Sequence, residues 1–413
     1  MKLTAAAVDR VSDARQLFSS FTICFISIMF AGIASMLMSV YLPVAVRDLL
    51  GPVNEATMNN VSAYINSFFI FGSMIGGFTW GVVCDRIGRA RAVALCTGFY
   101  GLFTLLTAFT DSWVLVCIYR LLTGFGIGGV LVTTNILVCE VWPQKTRAVA
   151  LGIVSAAMPL GFIAAGAINN LFDVWQQGFL LGMVPLLTAV IGYFILTEPD
   201  AWRSEAEAGQ AENKPSLFAR AYRKNLVQGS LIFGAMLIGL WAVFSWTPTW
   251  VQTVTPDEEA ARQLRGLCMM ILASAGLVGS VFSGYIANAI GVQRTLMMCF
   301  LACFIMVFVV FRMNTAVTTV TLVQMGVMSF FFGISQGALA VFIPQLFPVS
   351  VRAAATGFCF NIGRLFTASV VFFIGALANM LGGYGNAIFI FSFVFLAGLV
   401  ITAVSSTKLQ THQ

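Results

Sequence analysis

Glu140-Val141-Trp142-Pro143-Gln144-Lys145-Thr146-Arg147, followed by Gly152, is echoed 205 positions later by Gln345-Leu346-Phe347-Pro348-Val349-Ser350-Val351-Arg352, followed by Gly357. A second echo runs at an offset of 203, where Gly81, Gly88 and Arg91 recur as Gly284, Gly291 and Arg294. Two boxes in the same order at nearly the same offset argue for a duplicated unit. The residues around the boxes say what that unit is, because each box interrupts long apolar runs.

Of the 413 residues, 59% are hydrophobic and 9% charged. A soluble chain carries about 25% charged residues, so this one cannot cover a water-facing surface. About 20 apolar residues in a helix cross the hydrocarbon core of a bilayer. Runs of that kind fall near 20–43, 61–84, 92–110, 113–139, 147–170 and 176–196, then near 226–251, 263–287, 294–311, 317–341, 353–378 and 385–405. The first run is too long for a signal-peptide core and has no small-residue cleavage site after it, so it is expected to stay as the first span. The expected fold is an all-α membrane protein of twelve transmembrane helices in two pseudo-symmetric six-helix bundles. Its parts are a tail at 1–19, bundles at 20–196 and 226–405, a charged linker at 197–225 and a second tail at 406–413. The linker holds Asp200, Arg203, Glu205, Glu207, Glu212, Lys214, Arg220 and Arg223 between the two sets of spans. With the N-terminus inside, sixteen Lys and Arg fall on the cytoplasmic side and four (Arg47, Arg262, Arg265, Arg312) on the other. That asymmetry places both termini in the cytoplasm. Short loops suggest a bacterial inner membrane, and a monomer is expected.

Several function classes drop out. The nine cysteines lie in or beside apolar stretches with no CxxC pair, as small hydrophobes rather than a disulfide framework or metal site. The net charge of +6 comes from residues scattered in short loops, which does not describe a nucleic-acid surface. The one histidine, His412, is in the tail, and no triad or metal-ligand spacing exists, so no enzyme, cofactor or metal is expected. There is no GxxxxGK[ST], and Gly124-Phe125-Gly126-Ile127-Gly128-Gly129 lies inside a span, where it serves close packing. A channel would need a ring of charges or a continuous pore, which two lone intramembrane arginines do not supply. Parallel repeats of six helices instead place a binding site at the midplane between halves.

Gly81-Val-Val-Cys-Asp85-Arg86-Ile-Gly88-Arg89-Ala-Arg91 resembles the signature loop between spans two and three of the major facilitator superfamily. Arg120-Leu-Leu-Thr-Gly124-Phe-Gly126-Ile-Gly128-Gly129 resembles that superfamily's fourth-span motif, and Glu140…Pro143…Arg147 the box after it. Asn361-Ile-Gly363-Arg364 is similar to the branch of metabolite:proton symporters that takes sialate, aromatic acids and other organic anions. The resemblance implies alternating access, with proton symport as the default. It also implies a cytoplasmic gate of Asp85, Arg86, Arg89, Glu140 and Arg147, with Arg352 as the second-half copy. In that reading Asp85, Arg89, Glu140 and Arg147 pair across the cytoplasmic side when the carrier faces outward; the plainer alternative is positive-inside anchoring. The second copy departs from the pattern, with Asn288, Ala289, Val292 and Gln345 where the first has Asp85, Arg86, Arg89 and Glu140, so an asymmetric gate is expected.

Ionisable residues at membrane depth cost several kcal/mol and are candidates for function. Arg364 falls near the middle of span eleven, and the residue 205 earlier is Pro159, so the arginine is not inherited with the repeat. The second half has only three acids, Asp257, Glu258 and Glu259, all in one outer loop. Arg364 is therefore expected to lack a counter-ion at its own depth and to receive a substrate carboxylate in two parallel hydrogen bonds. The alternative is that it bonds backbone carbonyls and water, which would suit a drug or metabolite efflux carrier of the same fold. Asn361, Gln336, Asn66, Tyr64 and Trp246 complete the candidate binding set. Trp241, Trp250 and Tyr41 are weighed beside them as packing or interfacial residues. Arg120 is a candidate for a second substrate group, for proton gating or for bracing span one. The expected function is a secondary transporter of a small organic anion. No span-centre carboxylate offers itself as the proton carrier, so the substrate's own carboxylate, Glu140 or Asp85 would have to titrate.

Overall fold

The computed structural model describes residues 2–199, 218–220, 222–348 and 351–405. Among them there are twelve helices long and apolar enough to cross a membrane and no strands. We label them α1 (Lys2–Leu50), α2 (Glu55–Ile87), α3 (Arg89–Thr107), α4 (Trp113–Val141), α5 (Arg147–Leu171) and α6 (Trp175–Ile195, with a 3-10 turn at Leu180–Gly182). The second set is α7 (Arg223–Val254), α8 (Glu258–Ile290), α9 (Val292–Met313), α10 (Thr319–Gln345), α11 (Arg352–Phe372, continued by Ile374–Leu381) and α12 (Tyr384–Val404). Several helices run beyond the apolar stretches that reveal them. Helix α1 continues back through most of the segment set apart as a tail, and α2 extends past both ends of 61–84. An apolar run marks only the part of a helix within hydrocarbon; polar turns beyond it stay helical in water. The charged stretch 200–217 of the linker and the tail 406–413 lie outside the described residues.

The duplication is visible in backbone detail. Helices α2 and α8 both end at a glycine with positive φ, Gly88 at 106° and Gly291 at 89°. A side chain in that region is strained, so each glycine lets the chain turn at once into the next helix. The Arg147 Nε donates to the Trp142 carbonyl at 3.2 Å, and the Arg352 Nε donates to the Phe347 carbonyl at 3.2 Å, at matching positions of the two boxes.

Within each half, small residues draw helices together. A Cβ on Gly76 would collide with the Phe125 carbonyl of α4, and one on Gly128 with the Ser73 carbonyl of α2. Of the other three glycines of that α4 cluster, Gly124 meets the Phe69 carbonyl of α2, Gly126 lies on Tyr100 of α3, and Gly129 lies between Cys96 of α3 and Trp80 of α2. The cluster is a packing surface, as its position in a span implied.

We call the end carrying Arg86–Arg91, Arg147 and Arg352 the basic end, and the other the far end. Polar contacts between the halves gather at the far end. The Arg47 guanidinium lies 3.0 Å from the Glu258 carboxylate, Arg262 pairs with Asp173, and Asn169 donates to the Arg262 carbonyl at 2.8 Å. Asn59 donates to Asn379 at 2.5 Å and accepts from the Tyr384 hydroxyl at 2.7 Å. Backbones touch there too, with Gly166 of α5 against Gly266 of α8, and Gly375 of α11 against Asn59 of α2. Toward the basic end the same helices part. A Cβ on Gly81, Gly152, Gly284 or Gly357 would meet nothing within 4 Å. The two bundles form a V, shut at the far end and open at the basic end.

Candidate functional site

Arg364 stands twelve residues into α11, roughly 18 Å from its start at 1.5 Å per residue. Its Nη1 donates to Asn361 Oδ1 at 3.0 Å, one turn back on the same face. The Asn361 Nδ2 in turn bonds the Gly357 carbonyl at 3.1 Å. Across the interface the pair rests on Gly77 of α2, where any Cβ would strike Asn361 Oδ1 and the Arg364 guanidinium. Gly77 is in turn pressed against Gly128 of α4. Arg364 is half-buried, and among the described residues no carboxylate lies within 4.0 Å of it. Four residues nearer the basic end on each helix, Gly81 and Gly357 face open space. The guanidinium therefore sits at the point where the V begins to open.

Arg120 is placed differently. It is 1% exposed, with Nη1 donating to the Ala34 carbonyl at 2.7 Å and Nη2 to the Ser35 carbonyl at 3.2 Å. Its guanidinium carbon lies 4.1 Å over the ring of Phe69, a cation–π arrangement. Of the three roles open to it from sequence, this geometry corresponds to bracing α1. Asn66, one turn from Phe69 on α2, accepts from Ser39 of α1 at 3.4 Å and leaves its Nδ2 without a protein partner. The two thus belong to one polar seam around α1, α2 and α4, away from the Asn361–Arg364 pair.

The remaining candidates are dispersed. Gln336 is half-buried on α10 with its Nε2 unpartnered. Tyr64 stacks on Phe372 of α11 at 4.8 Å between ring centres, across the halves. Trp246 is wholly buried and stacks on Tyr384 at 5.0 Å, which puts it behind the far-end closure. Of the α7 tryptophans only Trp241 keeps accessible surface, and it packs on Phe69 at 5.9 Å. Tyr41 donates to the Ile168 and Phe172 carbonyls and tethers α1 to α5.

At the basic end Arg89 is the hub. Its Nε reaches both Glu140 oxygens, at 3.0 and 3.2 Å, and its Nη1 lies 3.2 Å from Asp85. Arg86 is exposed beside it. Arg147 and Arg352 each bond the carbonyl five residues back in their own box. In this state the gate candidates thus make contacts within their own halves.

Glu198 escaped the sequence reading, which left it in the linker. Its carboxylate accepts from the backbone N–H of Ala90 and of Arg91, both at 3.1 Å, and covers Gly88. An acid at a helix N-terminus satisfies orphan donors and the helix dipole together, so the chain leaving α6 is pinned to the loop that opens α3. Its position three residues beyond the end of α6, just before Pro199, was the only signal. Gly77 escaped too, because nothing in a sequence tells a cross-half glycine from one packing within its half.

The profile of the Major Facilitator Superfamily matches residues 24–366. The chain belongs to this superfamily. It is 25% identical over 373 residues to the cis,cis-muconate transport protein of Acinetobacter baylyi, covering 87% of each chain. It is 23% identical to the sialic acid transporter NanX of Escherichia coli, covering 79% of this chain and 80% of that one. It is 22% identical to the 4-hydroxybenzoate transporter PcaK of A. baylyi, covering 94% and 91%. In fold it matches a D-xylose-proton symporter with a TM-score of 0.76 at 16% identity, over 93% of this chain and 97% of that one. It also matches the inward open form of the E. coli xylose transporter XylE, with a TM-score of 0.75 at 16% identity over 93% and 95%. This superfamily member is a multi-pass membrane transporter and not an enzyme, and its relatives include carriers of organic acids.

Proposed function

We propose that the protein carries a small organic carboxylate across a bacterial inner membrane by alternating access, as a monomer with proton symport, and that Arg364 anchors the carboxylate. The observation that carries the reading is a half-buried guanidinium where the V begins to open, with Asn361 as its bonded partner and, among the described residues, no carboxylate within 4.0 Å. A carboxylate brought there replaces lost hydration with charge-assisted bonds. The relatives named for muconate, sialic acid and 4-hydroxybenzoate support an acid as substrate. The count of sixteen basic residues against four supports a cytoplasmic basic end, and so an inward-facing structure. Among the described residues no acid lies at mid-span, and Glu140 is held by Arg89. The travelling proton therefore rides on the substrate or on the Asp85–Arg89–Glu140 cluster when it opens.

The test is thermal stabilisation of the purified protein by a panel of carboxylates and their neutral amides, with Arg364→Ala alongside. Stabilisation by an acid but not its amide, lost in the variant, is the expected result. A bidentate charged pair contributes about 1.5–3 kcal/mol, so affinity falls by roughly 10- to 150-fold. Equal responses from both proteins would make Arg364 structural and favour the efflux reading.

A further inference from the structure

We infer that the substrate is a monoanion: one carboxylate is bound on Arg364, and the rest of the molecule carries no second formal charge. The inference rests on the reading of Arg364 as carboxylate anchor and goes beyond it to the charge the site accepts. It follows from where the arginines of the seam, the far-end closure and the Arg89 cluster are committed, while Arg86, Arg91 and Arg294 are exposed at the basic end. Arg120 spends two nitrogens on the Ala34 and Ser35 carbonyls and its face on Phe69, and is 1% exposed. Arg265 is 2% exposed and donates to Gln252 behind the far-end closure. Arg47 and Arg262 pair with Glu258, Asp173 and Glu259 in that closure, and Arg312 bonds Asn386. At the basic end Arg89 is held by Asp85 and Glu140, while Arg147 and Arg352 bond carbonyls of their own turns.

Arg364 is thus the one guanidinium at membrane depth, among the described residues, that is both accessible and uncommitted to a carboxylate or a backbone carbonyl. Across the interface it meets the glycine backbone of α2 at Gly77, which brings no charge. Gln336 Nε2 on α10 and Asn66 Nδ2 in the α1–α2 seam lack protein partners, but both are neutral donors and supply no second cation. A second carboxylate would enter low-dielectric surroundings with no cation to meet it. An unpaired charge there is far more costly than an unpaired neutral polar group.

The experiment uses the full chain in lipid nanodiscs at pH 7.5 and measures binding by calorimetry for matched acids. The pairs are sorbate with muconate, benzoate with terephthalate, hexanoate with adipate, and gluconate with glucarate. The monomethyl ester of each diacid and the dimethyl ester of muconate are added as controls. The expected result is that at least one monoacid or monoester binds at least tenfold more tightly than its diacid. That binding is lost in Arg364→Gln and partly kept in Arg364→Lys, each variant being first shown monodisperse. A diacid that binds as tightly as its monoester, with binding still lost in Arg364→Gln, overturns the monoanion inference and leaves the anchor reading standing. Binding of the dimethyl ester equal to the monoester and indifferent to Arg364→Gln overturns both, as does binding by no acid in the panel.

Discussion

Gly266 is where the far-end closure is most sensitive to a single atom. A Cβ there would collide with the Gly166 carbonyl of α5 and with Asn170 Oδ1, and a Cβ on Gly166 would collide with the Gly266 carbonyl. Asn170 is a side chain and can swing away, but the Gly166 carbonyl is helix backbone and cannot. Gly266→Leu must therefore push α8 from α5, stretching the Asn169–Arg262 bond and the Arg262–Asp173 pair beside it. Overpacking of this kind costs about 1–3 kcal/mol, and each 1.4 kcal/mol is tenfold in an equilibrium, so the closed population falls by roughly 5- to 150-fold. The cost falls on closure rather than folding, because the clashes are all across the halves. The assay is electron–electron resonance between nitroxides on Asp111→Cys and Thr315→Cys, two exposed far-end sites in opposite halves. It is made in a Cys139→Ser background, since Cys139 is the one native cysteine not buried. The variant is expected to show a longer distance distribution, with little change in melting temperature and loss of transport; Gly266→Ala should fall between. If Gly266→Leu keeps the wild-type distances and transports within twofold of wild type, the backbone contact is not what closes the far end.

Glu198→Gln keeps the shape but removes the charge that caps α3, and is expected to cost about 1 kcal/mol locally; faster hydrogen exchange at residues 89–92 without global destabilisation would show it. Glu140→Gln leaves the buried Arg89 with Asp85 as its remaining acid, which is 68% exposed, so a loss of about 1–3 kcal/mol in unfolding stability is expected. An Arg89→Gln, Glu140→Gln double variant should recover part of that loss; no recovery would mean the pair is not coupled. Arg120→Lys keeps the charge but cannot span the Ala34 and Ser35 carbonyls in one plane. Melting should fall with the ligand-binding ratio of acid to amide unchanged, whereas a changed ratio would put Arg120 in the substrate site.

The architecture was legible because lipid leaves few choices. Backbone groups in hydrocarbon must be satisfied within the segment, so each apolar run had to be a helix. The 205-residue echo made two bundles of the twelve. The breaks expected at 111–112 and 312–316 fall at 108–112 and 314–318, within three residues. The missing counter-ion of Arg364 was legible for a different reason: the acids of the second half are confined to Asp257, Glu258 and Glu259 in one outer loop, and that distribution survives folding. What stayed hidden depends on which helix faces which. Trp246 and Trp241 lie five residues apart on one helix; one is sealed behind Tyr384 and the other keeps open surface. Arg120 and Arg364 are both lone arginines in apolar runs, and only the backbone of α1 beside one and the gap at Gly81 and Gly357 beside the other tell them apart.

The departures of the second box from the first bear on which end closes more firmly. What the repeat preserves is the local turn, in which Arg147 and Arg352 bond the same carbonyl of their own box. What it loses is the acids, replaced by Asn288 and Gln345, so the second half offers none at the basic end. Any ion pair across the basic end must then join an acid of the first half to a cation of the second. Glu140 is already held by Arg89, and Glu198 by the start of α3. Closing the basic end therefore exchanges bonds within a half for bonds between halves. Closing the far end adds Arg47–Glu258 and Arg262–Asp173, joined by the Asn59–Asn379–Tyr384 chain. Those ion pairs are largely exposed, each contributing less than about 1 kcal/mol and screened by salt, so the tilt is modest. Without substrate, wild type labelled at Asp111 and Thr315 is expected to give mainly the short far-end distance. Raising salt from 20 mM to 1 M should lengthen part of that population, and a salt-independent distribution would assign the closure to the glycine contacts alone.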